Sequence, residues 1–438
     1  MIGGFQNIPK IPELKRRIFF TLGMLAVYRL GCHIPTPGID SDALSAFFSE
    51  RAGGLFGLMD MFSGGALFRM SVMALGIMPY ISASIILELL SVVVPYLEKL
   101  KKEGEQGRKK IIQYTRYGTV VLSTIQGFGI AIWLENMTLS SGGPPVVTIG
   151  GWGFRLLAVI TFTAGTAFLM WLGEQITERG IGNGISLIIF SGIVARFFPG
   201  VFNVIEYVRI GEISAFFMII IVVFMVGIIG FIVFMERGQR RIPVQYAKRV
   251  VGRRMYGGQS THLPLKINTA GVIPPIFASS ILMFPLTIVN YVNIDVEWLN
   301  FLVQNLSPDR LLYNIIYMIL IIFFCYFYTA VHFNPVDVAD NMKRYGGFIP
   351  GIRPGKNTAE FIDRVLTRIT FSGAIYVSFV CVLPNILMYK ANVPFYFGGT
   401  GLLIVVGVAM DTANQIESHM LTRHYEGFMK TGFARGGR

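Results

Sequence analysis

The feature that most constrains this chain is a run of twenty residues at 216–235, FFMIIIVVFMVGIIGFIVFM, without a single charge. Coiled as a helix, such a run is about 30 Å long, which matches the hydrocarbon thickness of a bilayer. Nine further apolar runs of similar length lie near 18–34, 72–94, 112–134, 152–172, 181–199, 267–290, 311–331, 368–388 and 398–418. The run at 181–199 is the least regular, since it opens on glycines and Asn183. Composition agrees: 53% of residues are hydrophobic and 14% charged, against about 25% charged in soluble domains. A soluble fold this apolar would expose patches that aggregate. The sequence therefore predicts an all-α, polytopic membrane protein of ten transmembrane helices.

Orientation follows from where Lys and Arg fall in short loops. With the N-terminus inside, the segments 1–17, 95–111, 173–180, 236–266, 332–367 and 419–438 hold 28 basic residues, and the outside loops hold 7. Both termini are thus expected in the cytoplasm, which an even number of spans requires. No small-residue cleavage site follows the first apolar run, so Lys10, Lys15, Arg16 and Arg17 read as a cytoplasmic flank and not as part of a cleavable signal. The loop 236–266 carries eight basic residues and one acid, more than topology needs. It suits an acidic partner: lipid headgroups, RNA phosphates or an acidic protein.

Little in the spans suggests chemistry. Cys32, Cys325 and Cys381 show no metal spacing and read as small packing residues. None of the five histidines falls clearly at mid-span, which weakens a proton-coupled transporter; Glu88, within the second run, could be a relay or a water-facing residue. HExxH, GxSxG, P-loop and paired-Cys motifs are lacking. GIGNG at 180–184 opens an apolar helix without the Lys-Ser/Thr of a P-loop, and reads as close helix packing. No catalytic residue, metal site or cofactor is expected.

Two features are ambiguous from the residues alone. The stretch 53–71, GGLFGLMDMFSGGALFRMS, is apolar but too short and glycine-broken to cross a membrane. It fits a re-entrant plug in a pore or an amphipathic helix at the interface. Ile77, Ile81 and Ile85 recur every four residues, so they share a helix face; ordinary packing and an apolar pore constriction both produce such a stripe.

Several long stretches together resemble the SecY family, the channel subunits of bacterial protein export. They are GCHIPTPGID (31–40), MFSGGALFRMSVMALGIMPYISASII (61–86), KKEGEQGRKKIIQYTRYGT (101–119), FLMWLGEQITERGIGNGISLIIF (168–190), ERGQRRIPVQYAKR (236–249), STHLPLKINTAGVIPPIFASSI (260–281), FNPVDVADNMKRYGGFIPGIRPG (333–355) and VPFYFGGTGLLIVV (393–406). The resemblance spans nearly the whole chain. It implies two pseudo-symmetric five-helix halves, 1–200 and 201–438, around an hourglass pore in the bacterial inner membrane. It further implies a passive protein-conducting channel energised by the SecA ATPase, the ribosome or the proton-motive force.

The resemblance also assigns residues. The plug is 53–71, with Leu58, Met59, Met61, Phe62, Ser63, Gly64 and Gly65. The pore ring is Ile77, Ile81, Ile185, Ile189, Ile273 and Ile404. Ser82, Ile85, Gln126 and Asn268 become lateral-gate candidates, the gate lying between helices 2 and 3 and helices 7 and 8. The loops 236–266 and 332–367 become docking loops for SecA or a translating ribosome, through ribosomal RNA and protein, with Arg240, Arg241, Arg253, Arg254 and Arg353 as the contacts. Small membrane subunits SecE and SecG, signal sequences of preproteins and the lipid bilayer complete the implied partners. Glu88 departs from the uncharged residue expected of the family at the gate. The rival readings are a small-solute transporter, which would need mid-membrane carboxylates, and an intramembrane enzyme, which would need a catalytic constellation in the spans.

Overall fold

The structure is a computed structural model. It describes residues 11–40, 43–44, 60, 62–137, 145–147, 150–211, 214–246, 249–251, 254–256, 260–292, 305–306, 310–391 and 399–435. Among the described residues twelve helices and five strands follow in chain order: α1 Pro12–Gly31, α2 Met78–Val93, α3 Pro95–Lys102, α4 Glu105–Glu135, α5 Trp152–Arg179, α6 Gly184–Ile210, α7 Ala215–Arg237, β1 Gln239–Tyr246, β2 Arg249–Val251, β3 Arg254–Tyr256, β4 Ser260–Lys266, α8 Ile273–Val292, α9 Leu311–His332, α10 Pro335–Arg344, β5 Gly347–Phe348, α11 Lys356–Ala391 and α12 Gly399–Arg435.

All ten apolar runs fall on helices: α1, α2, α4 to α9, α11 and α12. By length and apolarity alone, seven helices among the described residues qualify as membrane spans, or up to eight with the pair α2–α3. That pair bends by 98° at Pro95, whose ring removes a backbone donor and forces Val94 into an extended conformation. Several helices outrun their apolar segments: α11 starts twelve residues before the predicted run at 368, and α12 continues to Arg435. Hydropathy marks where lipid ends, and nothing in these sequences breaks the helix there.

Burial runs opposite to that of a soluble protein. The most apolar helix, Phe216–Arg237, has 6% of its window buried, whereas Lys356–Leu383 has 56%. Phe216, Phe234 and Leu311 are 73%, 75% and 73% exposed, as suits side chains solvated by acyl chains.

The helices pack in two groups. α1, α2, α4, α5 and α6 pack on one another, as do α7, α8, α9, α11 and α12. Two seams join the groups: α8 lies against α2 and α4, and α6 lies against α12. Within the first group, close approach is set by glycine. A Cβ on Gly165 of α5 would stand 2.0 Å from the Val72 carbonyl oxygen. Gly165→Ala is therefore expected to lower stability by about 1–3 kcal/mol, as overpacking does. A thermal melt of the purified protein that matched wild type would refute this contact.

The expected all-α class gains one small addition. On the cytoplasmic side by the charge rule, β1 pairs antiparallel with β4, from Gln239↔Lys266 to Gln245↔Ser260, and its far end pairs with β5 through Gln245↔Phe348 and Tyr246↔Gly347. Pro243 is tolerated inside β1 because β5 engages only the strand beyond it. Ile242, Val244, Leu265, Met342, Ile349 and Ile362 form a separate core that joins this sheet to α10 and α11.

Candidate functional site

The residues implied for the ring come from four helices and meet in one apolar cluster. Ile77 caps α2 and Ile81 lies one turn on; Ile189 is on α6 and Ile404 on α12. Their exposures are 1%, 5%, 1% and 0%. Ile185 of α6 and Ile273, the first residue of α8, are half-buried against the same cluster, and Ile85 belongs to it. The six ring candidates span from 77 to 404 in sequence, so only tertiary packing unites them. Branched at Cβ, isoleucine is stiff about its first torsion and brings no polar atom to the seam where the two groups of helices meet.

Beside this cluster, the segment 62–77 runs through turns, with Phe62, Ser63, Ala66, Leu67 and Met70 all at 2% exposure or less. Phe62, Ser63, Gly64 and Gly65 of the plug assignment are thus buried or half-buried next to the seam, while Leu58, Met59 and Met61 lie outside the described residues. Gly64 holds φ +69°, and a Cβ there would stand 2.9 Å from the Gly192 Cα and 2.7 Å from the Tyr28 hydroxyl. Only glycine fits this position.

A polar collar fastens the segment. Tyr28 Oη donates to the Ser63 carbonyl at 3.1 Å. Arg29 of α1 donates through Nη1 to the Gly64 carbonyl at 2.9 Å and through Nε to Ser191 Oγ of α6 at 3.2 Å, and its Nη2 donates to the Ser191 carbonyl. Asp60, at 0% exposure, pairs with Arg196 of α6. Its other oxygen accepts from the Phe68 amide at 2.8 Å and the Ser63 hydroxyl at 3.4 Å, and the Arg196 guanidinium stacks over the Phe68 ring. Backbone bonds from Thr36 N to Met70 O and from Val72 N to Ile34 O, both 2.9 Å, secure the far end to the chain leaving α1.

Sequence reasoning missed this collar, because no motif or spacing marks Arg29 or Arg196 as a partner of the segment 53–71. The available signal was Asp60, the one acid in an apolar stretch, since a buried carboxylate demands a partner.

The gate candidates divide. Ile85 is buried in the seam, and Ser82 and Gln126 are half-buried on α2 and α4, the helices that meet α8. Asn268 instead donates to Glu236 Oε1 at 2.6 Å and to the Gly271 carbonyl at 3.0 Å, tying the end of α7 to the approach of α8. Glu88 of α2 reaches His332 of α9 at 3.6 Å, a polar contact across the same seam.

The two loops expected to dock partners form one structure. Because β5 adds to β1, the loops 236–266 and 332–367 share a sheet and a core. Arg241 and Arg353 are exposed. The Arg353 carbonyl accepts from Thr358 Oγ1 at 2.9 Å, which fixes its turn at the start of α11. Arg254 lies on the β2–β3 ribbon, and Arg253 falls outside the described residues. Arg240 is exposed on the strand face that carries Ile242 and Val244 and lines a cleft with α11. Among the described residues no group of three or more His, Cys, Asp or Glu could hold a metal ion, and the three cysteines are free and buried.

A multi-pass helical membrane protein whose helices meet on an apolar seam, with a buried turn segment beside it, has the fold of the protein-conducting channels. Over 92% of both chains it superposes on a solved protein-conducting channel with a TM-score of 0.65 at 18% identity. It superposes equally widely, with a TM-score of 0.68, on a SecY channel whose plug domain stabilises the closed state and maintains a membrane seal. A Sec61 chain from a canine ribosome–channel complex of the endoplasmic reticulum gives 0.63 at 16% identity and the same coverage. The SecY family model matches residues 71–413. The protein translocase subunits SecY of Vibrio cholerae and Escherichia coli are each 52% identical, over 97% of this chain and 96% of theirs. The chain belongs to the SecY family.

Proposed function

We propose that this chain is the protein-conducting channel of a Sec translocon in a bacterial inner membrane, passing unfolded secretory proteins across it and releasing transmembrane segments sideways into lipid. The observation that carries this reading is the convergence of Ile77, Ile81, Ile189 and Ile404 in one seam, closed from the side by the segment that Asp60 and Arg29 fasten.

The halves 1–200 and 201–438 act as a clamp hinged where α6 meets α12, and α8 parts from α2 and α4 to open the lateral gate. At rest the isoleucine ring excludes water and ions by dewetting. A passing chain is gripped by branched apolar side chains that form no specific bonds, so diverse sequences slide through. A signal sequence opens the gate only by binding the open state better than the closed one. Ser82, Ile85 and Gln126 line that gate, Glu88 and His332 add a polar contact across it, and Asn268 supports α8 from behind.

No residue performs catalysis; SecA, a translating ribosome or the proton-motive force supplies the energy, and SecE and SecG accompany the chain. The ribosome-bound canine Sec61 supports a ribosome as partner. Arg241 and Arg353 are exposed, and a guanidinium group suits bidentate contact with carboxylate or phosphate, so the docking loops, with Arg253 and Arg254 as further candidates, can serve a protein or ribosomal RNA.

The test is charge reversal at Arg353. Arg353→Glu is expected to reduce SecA-driven export into vesicles at least tenfold, the effect of losing one charge-assisted pair of about 1.5–3 kcal/mol, while the chain still inserts and melts normally. Unchanged export would remove Arg353 from the partner site. A small-solute transporter would show solute uptake without ribosome or SecA binding.

A further inference from the structure

Between the start of β1 and the end of β4 on one side and α11 on the other lies a cleft of about 260 Å³, lined by Arg240, Ile267, Val365, Arg368, Ile369 and Ser372. The charge rule sets this end of the molecule at the cytoplasmic membrane surface, and the cleft lies at that border. α7 ends at Arg237, three residues before Arg240. On α11 the sequence turns apolar directly after Arg368 (ITFSGAIYVSFV). Strand alternation separates two arginines that are equivalent in the sequence: Arg240 shares its face with the buried Ile242 and Val244 and lines the cleft, whereas Arg241 lies on the opposite face with Pro243.

Below the cleft the surface is apolar. Arg368, Phe371, Ser372, Ile375 and Phe379 share one face of α11 by their helical spacing, and the three apolar members are 54%, 49% and 54% exposed. Phe231 of α7 meets Tyr376 edge-on, with ring centroids 5.7 Å apart, and Phe234 of α7 is 75% exposed. Two guanidinium groups and a hydroxyl therefore line the cleft, and two of the three stand on the face of α11 that continues into exposed apolar side chains.

We propose that this cleft binds the headgroup of one anionic phospholipid, the phosphodiester held between Arg240 and Arg368 with Ser372 beside it, and the acyl chains lying along Phe371, Ile375 and Phe379. The charge pattern favours an anionic lipid such as phosphatidylglycerol over a zwitterionic one, because two guanidinium groups repel a headgroup ammonium while pairing with phosphate. The exposed apolar face of α11 selects an amphiphile over a free anion, which would gain nothing from it.

The experiment is native mass spectrometry on the full chain, purified with the subunits that accompany it. The sample is delipidated and then titrated with phosphatidylglycerol or phosphatidylcholine of identical acyl chains. Wild type is expected to retain phosphatidylglycerol in preference, and Arg240→Gln/Arg368→Gln to lose that preference by roughly thirtyfold, from two basic side chains near the surface. Arg241→Gln, on the other face of β1, should behave as wild type, and Arg240→Lys/Arg368→Lys should keep part of the preference. A thermal melt in phosphatidylcholine shows whether the double variant is folded; if it is not, the Lys pair against wild type decides. Equal retention by wild type and the Gln pair overturns the proposal. Displacement of the lipid by excess inorganic phosphate assigns the cleft to a free anion and overturns it too. A preference seen only in the absence of the other subunits gives the cleft to an acidic partner residue and counts likewise against a lipid.

Discussion

Asp60→Ala is expected to give a channel that leaks at rest. The Asp60 carboxylate is fully buried and pairs with Arg196, which is about a quarter exposed. Breaking a buried pair by removing one partner costs about 3–5 kcal/mol. Partial exposure of the arginine reduces that to about 2–3 kcal/mol, which shifts the equilibrium between seated and displaced plug by roughly a hundredfold. Asp60→Asn should do less, since an amide oxygen still accepts from the Phe68 amide. Asp60→Ala/Arg196→Ala should fall short of the sum of the two single variants, because the two side chains contact each other. The measurement is single-channel conductance in planar bilayers without partners. Wild-type conductance in Asp60→Ala would show that the ion pair does not hold the segment.

The second large effect is expected at the ring. Replacing Ile77, Ile81 and Ile189 together by glycine removes three side chains that are at most 5% exposed. Large-to-small changes at such positions cost about 2–5 kcal/mol each when the cavity cannot collapse. Here the cavity would lie on the axis proposed for conduction, so it should fill with water and pass ions. Resting ion flux should rise strongly, and thermal stability should fall. The same three positions changed to leucine keep their volume, and are expected to stay sealed with a loss below about 1.5 kcal/mol per site. A glycine triple that stayed ion-tight would disprove the ring.

The two expectations separate two barriers. The collar acts on whether the segment is seated, and the ring acts on whether the seam stays dry beneath it. If both hold, Asp60→Ala combined with the glycine triple should leak more than either alone.

Much of this was legible in the residues. Uninterrupted apolar runs placed every long helix, since a backbone surrounded by lipid must satisfy its own hydrogen bonds. The distribution of arginine and lysine sets the orientation expected of them. The four-residue repeat of Ile77, Ile81 and Ile85 marked the face of α2 that is buried. Local signals failed where partners are far apart in the chain. Asp60 and Arg196 are separated by more than a hundred residues, and no periodicity links an acid in a glycine-rich turn to a base on α6. The β1–β5 pairing also escaped notice. Its strands are short, two residues in β5, and they sit in stretches whose charge dominates any alternation of apolar residues.

The chain by itself determined which segments are helical and apolar, and it set the orientation expected of them, because these depend on the transfer of single side chains between water and lipid. Tertiary structure alone decided which faces meet. It united isoleucines from four helices in one seam, gave a buried aspartate its arginine, split Arg240 from Arg241, and merged the loops 236–266 and 332–367 into one sheet. Those outcomes are set by packing between distant segments, and packing is a property of pairs of surfaces that neither surface states alone.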